Sequence, residues 1–84
     1  MADRHPNTFR LVIASVGQTL FDGAAVSVTL PGSAGMMTVL PNHEPLVTTL
    51  NKGNILVKTT EGNKEFPVDT GVLECSGGRA VVLL

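Results

Sequence analysis

The chain is 84 residues long, 43% hydrophobic and 15% charged, with seven acidic residues against six Lys and Arg and a net charge of −1. That length allows one domain and not two, and that balance excludes an intrinsically disordered chain. Charges of both signs are interspersed, so no basic patch could track phosphates, and no apolar run approaches the roughly 18 residues of a membrane span.

A chain this short buries only about 60–65% of its unfolded surface, so its stability margin is thin. The low charge predicts that a partner covers part of the surface. The single cysteine, Cys75, cannot form an intramolecular disulfide. Within Val72-Leu73-Glu74-Cys75 it reads as a small buried hydrophobe rather than a nucleophile. The lone thiol fits a reducing compartment, and the polar start, Met1 to Asn7, has no apolar segment of a signal peptide. These features predict a soluble, cytoplasmic protein.

Nine glycines and five prolines cut the chain into pieces too short for capped helices. Val, Ile and Thr supply 22 of its residues, and these β-branched types suit pleated surfaces. The expectation is an all-β fold. Residues 1–7 read as a flexible tail and residues 8–84 as the single domain.

Thr8 to Ser15 is the first strand, with Phe9, Leu11 and Ile13 on one face and Arg10, Val12 and Ala14 on the other. After a turn at Val16-Gly17-Gln18, Thr19 to Asp22 forms a short strand, and Asp22-Gly23 signals another turn. Ala25 to Leu30 alternates, with Val26, Val28 and Leu30 on one side. Pro31-Gly32-Ser33-Ala34-Gly35 reads as a loop. Beyond it, Met36 would offer a soft contact surface if exposed.

Met37 to Leu40 and Leu46 to Leu50 are strands flanking a corner. There Pro41 and Pro45 bracket Asn42-His43-Glu44. Proline fixes its own φ and biases the preceding residue to extended geometry, so the corner is stiff and holds its polar side chains in a set direction. Asn51 to Asn54 turns the chain into Ile55 to Thr60, where Ile55 and Val57 oppose Leu56 and Lys58. Glu61 to Lys64 is a hairpin turn. In the next strand, Glu65 to Thr70, Pro67 lacks a donor and demands an edge or an outward nitrogen. Val72 to Ser76 and Ala80 to Leu84 form a hairpin across Gly77-Gly78.

About eight to ten short, mostly antiparallel strands in so short a chain argue for a β-sandwich or a small barrel. Apolar residues on both faces of the last strand argue for two packed layers.

Two constellations invite a chemical reading. His43-Glu44 could be an acid–base or metal pair, yet a metal site needs three or four ligands, and the other histidine, His5, lies in the tail. A nucleophilic triad would need Cys75 or a serine beside His43 and an acid behind it. Gly32-Ser33-Ala34-Gly35 superficially resembles a phosphate loop but lacks the Gly-Lys-Ser/Thr ending and a following helix. An enzyme built on His43, Glu44 and Cys75 predicts a deep polar pocket; a contact surface predicts a shallow one.

A series of motifs carries a family resemblance. Leu11-Val12-Ile13-Ala14-Ser15 is followed by Leu20-Phe21-Asp22-Gly23 and Leu30-Pro31-Gly32-Ser33-Ala34-Gly35. Then come Val39-Leu40-Pro41-Asn42-His43-Glu44-Pro45-Leu46 and Leu50-Asn51-Lys52-Gly53-Asn54-Ile55. Phe66-Pro67-Val68-Asp69-Thr70-Gly71-Val72-Leu73-Glu74 and Val81-Val82-Leu83 complete it. From Phe9 to Leu84 the chain resembles the N-terminal β-sandwich domain of the epsilon subunit of F-type ATP synthases, called delta in mitochondria.

The resemblance implies a flattened ten-stranded β-sandwich that serves as a non-catalytic subunit of the central rotor stalk, coupling proton-driven rotation to ATP synthesis. Its implied partners are the gamma subunit and the loops of the c-ring, with no cofactor, metal or small-molecule ligand. Leu40, Pro41, Asn42 and His43 would lie towards gamma, and Gly32, Ser33, Ala34, Gly35 and Met36 towards the c-ring. The implied location is the cytoplasmic face of the inner (plasma) membrane, or the matrix or plastid side, as a peripheral subunit.

The chain departs from the family pattern at three places. Glu44 replaces a small residue, Thr70-Gly71 a common Gly-Gly pair, and Ala34 a common acidic residue. The family's C-terminal helical hairpin has no counterpart before Leu84, so hydrolysis inhibition and ATP binding are not expected of these residues. The alternative reading is a free-standing β-sandwich derived from the family, binding another protein or a small ligand.

Overall fold

A computed structural model describes residues 7–84. The expected loose tail, apart from Asn7, lies outside the described residues. Nine strands follow: β1 (Phe9–Ser15), β2 (Gln18–Ala25), β3 (Ser27–Gly32), β4 (Gly35–Val39), β5 (Leu46–Leu50), β6 (Gly53–Thr59), β7 (Gly62–Val68), β8 (Gly71–Ser76) and β9 (Arg79–Leu83). Among the described residues there is no helix, and thus none long and apolar enough to cross a membrane. The all-β expectation holds.

Period-two patterning fixes which side chains turn inward. Phe9, Leu11 and Ile13 of β1, Val28 and Leu30 of β3, Ile55 and Val57 of β6, Leu73 and Cys75 of β8 and Val82 of β9 are all buried in one cluster. Cys75 is the small buried hydrophobe that the sequence suggests.

The strands hydrogen-bond in the order β2-β1-β9-β8-β5-β3-β6-β7, with β4 on β3 off this path. Every pairing is antiparallel except β1 with β9. At β5–β3 the path narrows to the single pair Gly32–Leu50. Two backbone bonds flank it, from Ser33 N–H to the Thr49 carbonyl (3.0 Å) and from Asn51 N–H to the Pro31 carbonyl (2.7 Å). Asn51 Nδ2 adds a bond to the Gly32 carbonyl at 3.2 Å. At this narrow junction the sheet folds over, so β2-β1-β9-β8-β5 covers β7-β6-β3-β4. The two ends of the path meet where Phe21 of β2 stands edge-to-face on Phe66 of β7, centroids 6.2 Å apart. The result is a curled sheet closed into a sandwich.

Several local expectations shift. Asp22-Gly23 is not a turn; both lie inside β2, opposite Val12 and Leu11. A turn signal makes a hairpin only when the next segment pairs back, and β3 pairs with β4, β5 and β6 instead. The chain changes direction at Val26, whose N–H bonds the Lys58 carbonyl at 2.7 Å. Pro31 and Gly32 belong to β3, which leaves only Ser33-Ala34 between β3 and β4. The β6–β7 turn tightens to Thr60-Glu61, where the Thr59 hydroxyl donates to the Gly62 carbonyl at 2.7 Å.

Pro67 lies, as its missing donor demands, on an edge: β7 ends the path. The β8–β9 hairpin turns through Gly77 and Gly78, with φ of 57° and 74°. One argument for two layers fails in its detail. Leu83, on the second apolar face of β9, is 56% exposed and points outward, not into a core.

Candidate interaction site

The corner after β4 is built by its own sequence. His43 N–H bonds the Leu40 carbonyl at 3.2 Å, closing a four-residue turn. Pro41 takes the position that suits its fixed φ, and Asn42 takes the next with φ of 68°. That is a type II turn, where asparagine tolerates the left-handed region. His43 Nδ1 then donates to the Glu44 carbonyl at 2.7 Å. Leu40 and Asn42 are exposed, and Pro41 and His43 half-buried.

Beneath the corner, Phe9, Val39, Cys75 and Ala80 leave a crevice of only about 10 Å³, room for no more than a water. Burial pushes the Cys75 thiol up from its ordinary pKa, with the nearby Glu74 carboxylate adding to the rise, the opposite of what a thiolate nucleophile needs. Glu44 does not line this crevice. Among the described residues no three His, Cys, Asp or Glu side chains stand close enough to hold a metal. His43, Glu44 and Cys75 therefore enclose no deep polar pocket.

Leu40 also borders an open groove of about 660 Å³ on the outer face of β4-β3-β6-β7. Thr29, Thr38 and Leu56 form its floor, with Lys58 and Glu65 towards β7. The Thr29 and Thr38 hydroxyls are 3.0 Å apart and bonded. Reading the sequence placed Leu56 opposite Ile55 and Val57. It could not bring Leu56 and Leu40 to one groove, because that takes the β6–β3–β4 pairing.

The second predicted contact region lies at the other end of β4. Ser33, Ala34, Gly35 and Met36 are exposed, whereas Gly32 is buried. A Cβ at Gly32 would stand 3.1 Å from the Gly35 carbonyl and 3.0 Å from Met37 Sδ, so this glycine lets the hairpin close. Five residues of β4 separate Ser33-Ala34 from Leu40, roughly 17 Å of strand. The structure thus does not gather the two predicted groups into one site; it sets them at opposite ends of one hairpin.

The stiff corner, the open groove and the small crevice all lie on one β-sandwich domain. Residues 8–84 match the family model of the ATP synthase delta/epsilon chain β-sandwich domain. The chain belongs to that family.

Solved structures share the fold, two of them chains of mitochondrial ATP synthases. A chain in the Euglena gracilis mitochondrial ATP synthase, an assembly of OSCP, F1 and c-ring, superposes with a TM-score of 0.85 at 19% identity. That match covers 96% of this chain and 52% of the other. A chain in the central stalk and c-ring of the Tetrahymena thermophila mitochondrial ATP synthase gives 0.75 at 12% identity, covering 88% and 60%. The present chain therefore spans about half to three-fifths of the solved chains it resembles.

Proposed function

We propose that residues 8–84 form one docking unit in the central stalk of a proton-transporting ATP synthase. It joins the gamma subunit to the c-ring and does no chemistry itself. The observation that carries this reading is the β3–β4 hairpin. It presents an exposed, turn-locked corner at one end and an exposed loop with Met36 at the other, in a domain of the delta/epsilon family. A rigid spacer of that kind suits a part that transmits torque between two partners. Leu40, Pro41, Asn42 and His43, with the groove beside Leu40, face gamma. Ser33, Ala34, Gly35 and Met36 face the c-ring loops, with Gly32 shaping their turn. The protein then works as a peripheral subunit at the membrane face that carries the catalytic head.

The test is co-purification of the chain with a tagged gamma subunit of its own ATP synthase. It is run with the natural sequence, with Leu40→Glu and with His43→Ala. Capture by gamma that both substitutions weaken is the expected result. A folded, monomeric chain that gamma does not capture would overturn the reading and favour a free-standing binding module.

A further inference from the structure

The open edges of the sheet are not alike. β7 carries Pro67 and the exposed Lys64 and Glu65, which discourage another strand from pairing. β2 leans on β7 through Phe21 and Phe66, and its Asp22 is tied to Arg10. β4, Gly-Met-Met-Thr-Val, contains no proline and no charge. An edge without such protection either aggregates or receives a partner strand.

Pro31 shows which groups on β4 are free. It pairs with Met36, yet it has no N–H, and its carbonyl accepts from Asn51 on the opposite side of β3. So Pro31 and Met36 cannot be a pair that exchanges two hydrogen bonds. Such pairs alternate along an antiparallel ladder. Met36, and two residues on Thr38, therefore turn their N–H and C=O groups away from β3 to the open edge. The same two side chains lie on the outer face, where Thr38 floors the groove and Met36 is 63% exposed.

We infer that β4 docks gamma by strand addition: an extended, uncharged segment of gamma pairs along this edge, from the Leu40 corner to the backbone of Met36, whose exposed side chain stays turned to the c-ring loops. This rests on the stalk reading above and supplies its mode of contact. The edge is continuous with the corner assigned to gamma. Backbone pairing at Met36 and Thr38 gives affinity there, and the groove receives alternate side chains of the added strand. It also fixes the partner's direction relative to the hairpin, which two side-chain patches alone would not.

Hydrogen exchange on the chain with and without gamma tests this. The Met36 and Thr38 amides should exchange at least about 100-fold more slowly in the complex. Met36→Pro removes one edge donor without touching the β3–β4 bonds, and should weaken gamma binding roughly five- to ten-fold, whereas Met36→Leu should not. Should Met36→Pro fail to fold, the exchange of the natural chain still decides. A complex that forms with both amides unprotected would overturn strand addition and leave the stalk reading standing. Absence of any complex would overturn both. Protection that rises with the concentration of the chain alone, and is indifferent to gamma, would assign the edge to a second copy and overturn the proposal.

Discussion

Gly71 opens β8 where two backbones come closest. A Cβ added there would lie 2.7 Å from the Leu83 carbonyl and 3.0 Å from Leu84 Cδ2. The carbonyl belongs to the β8–β9 ladder and cannot swing aside, so Gly71→Ala must spread the pair of strands. We expect it to cost about 1–3 kcal/mol, as overpacking does, measured by urea unfolding at constant m. The residue before it, Thr70, is exposed. Nothing at that position requires the Gly-Gly pair common in the family, because the close approach is made at Gly71 alone.

Arg10 and Asp22 form a two-pronged ion pair across β1 and β2, at 2.7 and 3.1 Å. The hydrogen bonds from Arg10 hold the Asp22 carboxyl below its ordinary pKa. A lowered carboxyl stabilises the fold above its unfolded pKa of about 3.9, and that contribution disappears as pH falls through the folded value. The side chains are 60% and 44% exposed, so water and salt screen the pair and the effect is small. Arg10→Gln should therefore leave stability near pH 7 almost unchanged and flatten its fall below about pH 4 in low salt. Thermal unfolding between about pH 2 and about pH 6, with and without about 1 M salt, reads this. A fall as steep in the variant as in the natural chain would refute it.

At the scale of elements, the corner from Leu40 to Pro45 separates stability from binding. Its turn is closed by backbone and held by Pro41 and Asn42, not by the histidine ring. His43 is half-buried and makes one hydrogen bond to the neighbouring Glu44 carbonyl. His43→Ala should cost no more than about 1 kcal/mol of stability while weakening gamma capture several-fold. Parallel thermal melts and binding titrations check the pair of outcomes. An equal loss of both would make His43 a folding residue. The corner was legible in the sequence because its prolines act on their own backbone, whereas the left-handed Asn42 came from the structure. The β3–β4 loop was read too long, because Pro31 and Gly32 look like loop residues. They are held in a strand by distant partners, Asn51 and Leu50.

For the whole molecule, Cys75 is a reporter. Its thiol is buried in the cluster shared by both layers and raised in pKa by that burial. Its reaction with a thiol reagent near pH 8 should be slow in the native protein and fast in urea, with the same midpoint as circular dichroism. A fast native reaction would mean that the layers open locally at the corner. The low charge of the chain also has a place in the structure. On the outer face of β2-β1-β9-β8-β5, Val47 (68% exposed), Val72 and Leu83 stand on three neighbouring strands. The sequence shows the excess of apolar residues on β9 and assigns it to a core; the fold places it on the surface.

What the sequence determined by itself is local. Alternation set the inward faces of β1, β6 and β8, β-branched content set the strand class, and glycine and proline set most corners through their own φ preferences. The tertiary structure decided which strands are neighbours: the parallel β1–β9 pair, the narrow β5–β3 junction, the Phe21–Phe66 closure and the groove between Leu40 and Leu56. A strand's two faces follow from its own period of two. Its partners follow from backbone hydrogen bonds and shared burial between residues far apart in the chain, and no short window of sequence carries those.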